Sequence, residues 1–461
     1  MPATSSIDQL AGTIRGGVIR PEDPTYDAAR AVWNGMIDRR PALIVRCSGI
    51  ADVIAAVDFA RASNLPLTVR AGGHGVAGKA VSDGSLMIDL STMTSVEVDP
   101  KAKTARVGAG ATWGMVDHET QAFGLAVTGG VDSRTGVGGL TLGGGMGYLA
   151  RPCGLTIDNL LSAEVVLADG QVVTAHADEN EDLFWALRGG GGNFGVVTSF
   201  TYRLHDLGPE VMTAQVFYTM DDAEDVLTHY RDFMNKASDE VGCFALFVNV
   251  PPVEGFPEEQ HGKTALALVA CHSGSLADGE LELASLASFG SPMLSVVAPM
   301  PYATLQQSFD AGAPDGGRFY WKAGYFEELS DEAIKTLVDR VDPLPGPYSN
   351  VFFEPMGGAI ARVDPAATAF PHRNAAFGFG ISSGWEDPGD DDAAIAWTRA
   401  LHEAMAPFTR GVYSNYLDWD DDDRVDDTFG ANRQRLQEIK GIYDPDTIFS
   451  TNRNLAPTLA E

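Results

Sequence analysis

A chain of 461 residues is long enough for two or three domains, each with a sizeable core. Asp and Glu number 63 against 32 Lys and Arg, and the resulting formal charge of −31 repels nucleic acid and anionic lipid, so neither is an expected partner. Hydrophobic residues at 44% and 51 glycines exclude an acidic disordered chain, and a surface this poor in lysine points to a salt-adapted, halophilic source, with an ordinary acidic bacterial protein as the alternative.

Met1–Gly16 carries no apolar leader, and no later segment reaches the ~18 apolar residues of a membrane span. A soluble, unprocessed chain is expected. Cys47, Cys153, Cys243 and Cys271 lie far apart, without metal or redox spacing, which fits a reducing cytoplasm. Leu43–Val45 reads as a strand, Ile50–Ser63 as a helix by its 3.6-residue apolar spacing, and Leu67–Val69 as a strand again, together one β-α-β unit. Strands follow at Leu86–Leu90, Ser95–Val98 and Thr104–Val107, then a helix at Thr112–Phe123. Ser162–Leu167 and Gln171–Thr174 flank an Asp-Gly turn and form a hairpin, followed by a short helix at Asp182–Leu187. Beyond Arg203 glycine thins out. Longer strands (Thr213–Tyr218, Cys243–Val250, Thr264–Ala270) interleave with helices (Ala223–Ala237, Asp331–Arg340), predicting a second α+β domain. Asp418–Asp427, with seven aspartates, reads as a solvated loop. It lacks the Gly turn and closing Glu of an EF-hand, so no metal site is expected.

Four glycine-rich stretches carry the chemistry: Arg70–Gly78, Thr135–Gly139, Gly143–Gly147 and Arg188–Gly195. Glycines after strands let backbone N–H groups close around an anion, so a phosphate-bearing cofactor is expected, with Arg70, Lys79 and Arg188 as the nearby cations. Gly73–Lys79 fits GxxxxGK, but Ala80 replaces the magnesium-binding hydroxyl of a P-loop. Gly190-x-Gly192-x-x-Gly195 fits a dinucleotide fingerprint but follows a helix and precedes the strand Val196–Tyr202, the reverse of a Rossmann unit.

Arg70-x-Gly72-Gly73-His74, Arg151-x-x-Gly154 with Asp158-Asn159, Asp182–Gly195, Tyr413–Asp418 and Lys440–Phe449 with Asn452 together resemble the berberine bridge enzyme-like FAD-linked oxidases of the vanillyl-alcohol oxidase type. The resemblance implies an α+β chain: a two-lobed FAD-binding domain (1–205), an antiparallel-sheet substrate domain (206–405) and a C-terminal segment (406–461) that returns to the flavin side. It implies FAD held by Arg70, Gly72, Gly73, His74, Gly75, Val76, Ala77 and Gly78, with further contacts from Asp132, Thr135, Gly136, Gly138, Gly139, Gly145, Val196, Val197 and Asn452. His74 matches the residue bonded to the flavin. Relatives that carry a second, cysteine bond place it where this chain has Asp132, so a single covalent bond or a merely tight complex is expected rather than a bicovalent flavin; Cys153 is no substitute.

The implied reaction moves a hydride from an alcohol, sugar or secondary-metabolite carbon to the flavin, with O2 as electron acceptor and H2O2 as product. A dehydrogenase using another acceptor and a flavin-binding protein without turnover remain alternatives. Tyr416 and Asn415 match the family's catalytic segment. Tyr416 acts as a base only if a cation lowers a pKa of ~10, and Lys322 is the candidate. Relatives often carry Gln or Glu where this chain has Gly380, which implies a roomier pocket or a different base. Phe377, Phe379 and Tyr320 are candidate specificity residues, and His372 is expected to be structural.

Overall fold

The computed structural model describes residues 4–452 and 455–457; the ends of the expected first and last segments, including 453–454 and 458–461, lie outside the described residues. The β-α-β unit forms as expected. Leu43–Arg46 and Leu67–Arg70 both pair in parallel with Leu86–Asp89, with helix Ile50–Ala62 as the crossover and Gly17–Ile19 antiparallel on the outer edge. Val53, Ala56, Val57 and Ala60 of that helix are fully buried, so the 3.6-residue spacing identifies its core face.

A second, five-stranded antiparallel sheet runs in the order Val96–Asp99, Thr104–Gly108, Val196–Arg203, Leu160–Val166, Val172–His176. The two sheets share one core, which also takes in Leu436, Ile439 and Phe449 from the end of the chain. Lys440 ties that end down. Its ammonium, fully buried, donates to the Asn193 carbonyl at 2.7 Å and the Phe449 carbonyl at 3.0 Å and pairs with Asp444.

A seven-stranded antiparallel sheet follows, in the order Leu294–Pro301, Glu210–Thr219, Thr264–His272, Val241–Asn249, Asn350–Pro355, Phe377–Trp385, Arg318–Phe326. Helices Ala223–Met234, Leu276–Ala287, Asp331–Val341 and Asp391–Met405 bury their apolar faces against one side of it. Strand alternation assigns the two faces. Phe377, Phe379 and Ile381 enter the helix-side core, leaving Gly378, Gly380 and Ser382 on the other side. Phe377 and Phe379 are therefore core residues rather than specificity residues, and Tyr320 packs with Trp385 and Ala394 in a separate cluster.

The aspartate run corrects the expectation of a solvated loop. Asp418 and Asp421 are buried because an edge strand and a buried lysine need acceptors. Asp418 Oδ2 accepts the Trp321 N–H at 2.7 Å, while Lys322 Nζ donates to Asp420 at 2.7 Å and to Asp421 at 2.6 Å. Among the described residues, no group of His, Cys, Asp and Glu could hold a metal ion.

Candidate active site

The glycine loops and the free face of the seven-stranded sheet enclose one cavity of about 1060 Å³. That is the upper end of the range for small-molecule pockets and leaves room for a dinucleotide. The loops meet backbone to backbone. A Cβ on Gly72 would sit 2.6 Å from Gly136 Cα, whereas Cβ atoms on Gly75 or Gly139 would meet nothing within 4 Å. The first pair needs glycine for close approach, and the second leaves open space for a ligand against bare backbone.

Gly72, Gly73, His74, Gly75, Val76, Ala77, Asp132, Thr135, Gly136, Gly138, Gly139, Val197 and Asn452 line this cavity. Four other expected contacts lie behind its wall. Arg70 donates to the Ala29 carbonyl at 2.8 Å, Gly78 backs onto Ile37, the Gly145 N–H is taken by the Tyr413 hydroxyl at 2.7 Å, and Val196 is buried in the first core. The expected cations are also engaged elsewhere. Lys79 reaches the cavity but pairs with Asp422 at 3.1 Å, and Arg188 lies over the Phe184 ring and donates to the Ala367 carbonyl.

His74 stacks on Trp33, with centroids 4.5 Å apart, and turns Nε2 toward Asp132 at 3.5 Å, a contact longer than a normal hydrogen bond. Arg134 grips Asp132 from the other side at 2.6 and 3.1 Å, and against the upward pull of burial the contacts with His74 and Arg134 hold the Asp132 carboxyl well below its ordinary range. A carboxylate beside Nε2 keeps the imidazole proton there and leaves Nδ1 as the lone-pair nitrogen. Among the described residues Nδ1 takes no hydrogen bond, while Nε2 is buried and unbonded.

Tyr416 lies across the cavity beneath the sheet. Its hydroxyl donates to Glu354 Oε1 at 2.9 Å, and Lys322, committed to Asp420 and Asp421, is not its partner. Burial and the neighbouring carboxyl push the Tyr416 hydroxyl well above its ordinary pKa, a setting that opposes a phenolate. Asn415 pins the C-terminal segment to the flavin lobe. Its side chain donates to the Tyr413 hydroxyl at 2.9 Å and to the Leu140 carbonyl at 3.3 Å.

Glu354 is the site residue that sequence reasoning missed. It is 4% exposed, burial raises its carboxyl to about 7, and Oε2 has no partner among the described residues. Its strand runs Asn350-Val-Phe-Phe-Glu354-Pro, and an acid inside so apolar a run was the available signal. Glu354 sits opposite Gly378, and Phe352 opposite Gly380. A Cβ on Gly380 would lie 2.1 Å from Phe352 Cζ, so that ring fills the space and the pocket is not widened there. Phe352 and Glu354 thus occupy, from the neighbouring strand, the face that the glycines leave bare.

Such a cavity fits FAD: a glycine-walled cradle, an imidazole with a free ring nitrogen, and unbonded buried atoms at Ser414 Oγ and Trp321 Nε1. The comparisons agree. A family model described as an FAD binding domain matches residues 41–176, and one described as berberine and berberine like matches 412–456. An FAD-linked oxidoreductase of Dictyostelium discoideum is 31% identical over 460 residues, covering 99% of this chain and 98% of that one. The crystal structure of 6-hydroxy-D-nicotine oxidase from Arthrobacter nicotinovorans superposes with a TM-score of 0.86 at 28% identity, covering 96% of this chain and 98% of that one. BBE-like 1 of Physcomitrella patens, at 23% identity, shares the fold with a TM-score of 0.88 over 99% of this chain and all of its own. With both halves of the cavity and both ends of the chain matched in this way, the chain belongs to the berberine-like FAD-linked oxidoreductases.

Proposed function

We propose that the chain is an FAD-dependent oxidase of a small alcohol, amine, sugar or secondary metabolite, with Glu354 as its proton acceptor. One observation carries this reading: a buried carboxyl with a free oxygen, raised to about 7, faces the same cavity as the glycine cradle. Bound FAD supplies the electron sink and, in an oxidase, delivers the electrons to O2. The chain supplies the rest. Glycine-loop N–H groups hold the diphosphate, Asp132 orients His74 for a single covalent bond through Nδ1, and Tyr416 holds Oε1 so that Oε2 takes the substrate proton. The 6-hydroxy-D-nicotine relative is named an oxidase, which favours O2 as acceptor.

Residues 1–205, 206–405 and 406–461 act in this proposal as flavin domain, substrate domain and closing segment. Mixing the reduced protein with oxygen in a stopped-flow instrument tests the oxidase reading, which expects fast reoxidation. Slow reoxidation would make the protein a dehydrogenase, and failure of every substrate to reduce it would leave a flavin-binding protein.

Two further parts of the proposal concern setting. Four free cysteines support a reducing, cytoplasmic site. The charge of −31 supports a halophilic source, because salt screens the self-repulsion of an acidic surface. The Tm is expected to rise between low and molar salt; a flat or falling Tm contradicts that part.

A further inference from the structure

The seven-stranded sheet presents an apolar strip to the cavity, formed by Phe244, Leu246 and Val248 with Phe352 and Trp321 beside them. Two polar groups along this side, Asn249 and Ser349, are used internally, while Asn350 shares the cavity face of Phe352 and Glu354. Asn249 donates to the Gly346 carbonyl at 2.9 Å, and the Ser349 hydroxyl bonds both the N–H and the carbonyl of Gly384. A sugar would press several hydroxyls against this strip, at about 1–3 kcal/mol for each group left without a partner.

Two buried polar atoms of this side stand unbonded among the described residues, Glu354 Oε2 and Trp321 Nε1. Among the described residues no cation serves Glu354. The basic groups lining the cavity are Lys79, which pairs with Asp422, and His74, which faces Asp132. Aromatic rings crowd the carboxyl instead. Tyr416, its hydrogen-bond donor, meets Trp321 at 5.3 Å and Phe352 at 5.5 Å, both edge to face, and Trp321 and Phe352 are 6.3 Å apart. A buried carboxylate without a counter-ion, beside three aromatic rings, is complementary to an ammonium group. The charge completes an ion pair, and the ring faces attract it further.

We propose that the substrate is an amine, held as its ammonium by Glu354 Oε2 beside Trp321, Phe352 and Tyr416, with an apolar body along Leu246 and Val248. The assignment rests on the reading of this cavity as the substrate site of an oxidase. It also gives the carboxylate a second task. An ammonium must lose its proton before the carbon beside nitrogen can be oxidised, and that proton passes from nitrogen to Oε2 as the N–H bond breaks and an O–H bond forms. Trp321 Nε1 is left to donate to an acceptor on the amine's body.

The test titrates oxidised holoenzyme, above pH about 7 where Glu354 is ionised, with N-methylbenzylamine, benzyl alcohol and xylobiose. Binding is followed by flavin absorbance and tryptophan fluorescence without turnover. The amine is expected to bind at least about tenfold tighter than the alcohol, xylobiose is expected to give no signal, and Glu354→Gln should erase the preference. Trp321→Leu, which removes a ring but no charge, should weaken it and serves as the second variant if Glu354→Gln does not fold. Equal affinity for amine and alcohol, binding of xylobiose, or a preference that survives the substitutions overturns the proposal. Turnover of a sugar with oxygen would sink the amine assignment and spare the oxidase reading. Selective amine binding by a protein whose reduced form ignores oxygen would do the opposite.

Discussion

Glu354→Gln slows substrate-driven reduction of the flavin by about 10²–10⁴-fold, the usual cost of losing a general base. Glutamine keeps the shape and can still accept the Tyr416 hydrogen bond, so the flavin should remain bound and the loss should fall on the rate. A pH profile separates this from a structural effect. Burial holds the Glu354 proton until about 7, so in the wild type the reduction rate rises as pH passes through that value and levels off above it; in Glu354→Gln that rise disappears. Tyr416→Phe removes the hydrogen bond that favours the ionised carboxyl, so the rise moves to higher pH and the rate at neutrality falls, by about fivefold for a pKa increase of about one unit. Stability moves the other way. Glutamate's ordinary pKa is 4.5, and in the folded protein the value is about 7. Between these values the folded chain holds one more proton than the unfolded chain, so this group leaves stability untouched at low pH and reduces it progressively as pH rises toward 7. Glu354→Gln therefore melts higher than wild type at pH 7 while turning over far more slowly. A mutant with unchanged rate would remove Glu354 from the reaction.

His74→Ala is expected to have the second large effect, conversion of an acid-stable flavin into one that acid releases completely. The reasoning is local. Trp33 fixes the ring plane, Asp132 fixes the proton on Nε2, and Nδ1 is the nitrogen that stays available. Asp132→Asn keeps the size of the side chain but loses the charge facing Nε2, so it should slow attachment without abolishing it. If acid precipitation of His74→Ala still brings the flavin down with the polypeptide, attachment occurs elsewhere.

Much of the flavin lobe was legible in the sequence, and less of the substrate sheet. The Ile50–Ala62 helix and the Leu43–Arg46 and Leu67–Arg70 strands agree with their apolar periods to within a residue or two, because one face of each is buried. Strand Phe377–Trp385 was not among the expected strands, because Gly378, Gly380, Ser382, Ser383 and Gly384 break up its apolar alternation. Gly378 and Gly380 lie where Glu354 and Phe352 of the adjacent strand need room, a pairing that only tertiary structure supplies. The Asp418–Asp427 run misled for a related reason. Composition cannot show that Asp418 caps an edge-strand N–H or that Lys322 is buried against Asp420 and Asp421. Arg373 is a buried cation whose place no sequence pattern shows. In the fold it is fully buried and grips Asp158 at 2.6 and 2.8 Å, joining the loop after the Phe370-Pro-His372 turn to the flavin lobe. His372, hydrogen-bonded to the Thr428 carbonyl at 3.0 Å and stacked on Tyr325, has the structural place expected of it.

The central claim, that the glycine-walled cavity is an FAD site closed on His74, is tested most directly by tryptic mapping of the purified wild-type protein. Trypsin cuts after Arg70 and Lys79, isolating a nine-residue peptide, Ala71–Lys79, that contains His74. The expected result is flavin absorbance and one added flavin mass on that peptide alone. Recovery of all the flavin free in solution, its appearance on a different peptide, or a purified protein that carries no flavin would contradict the claim.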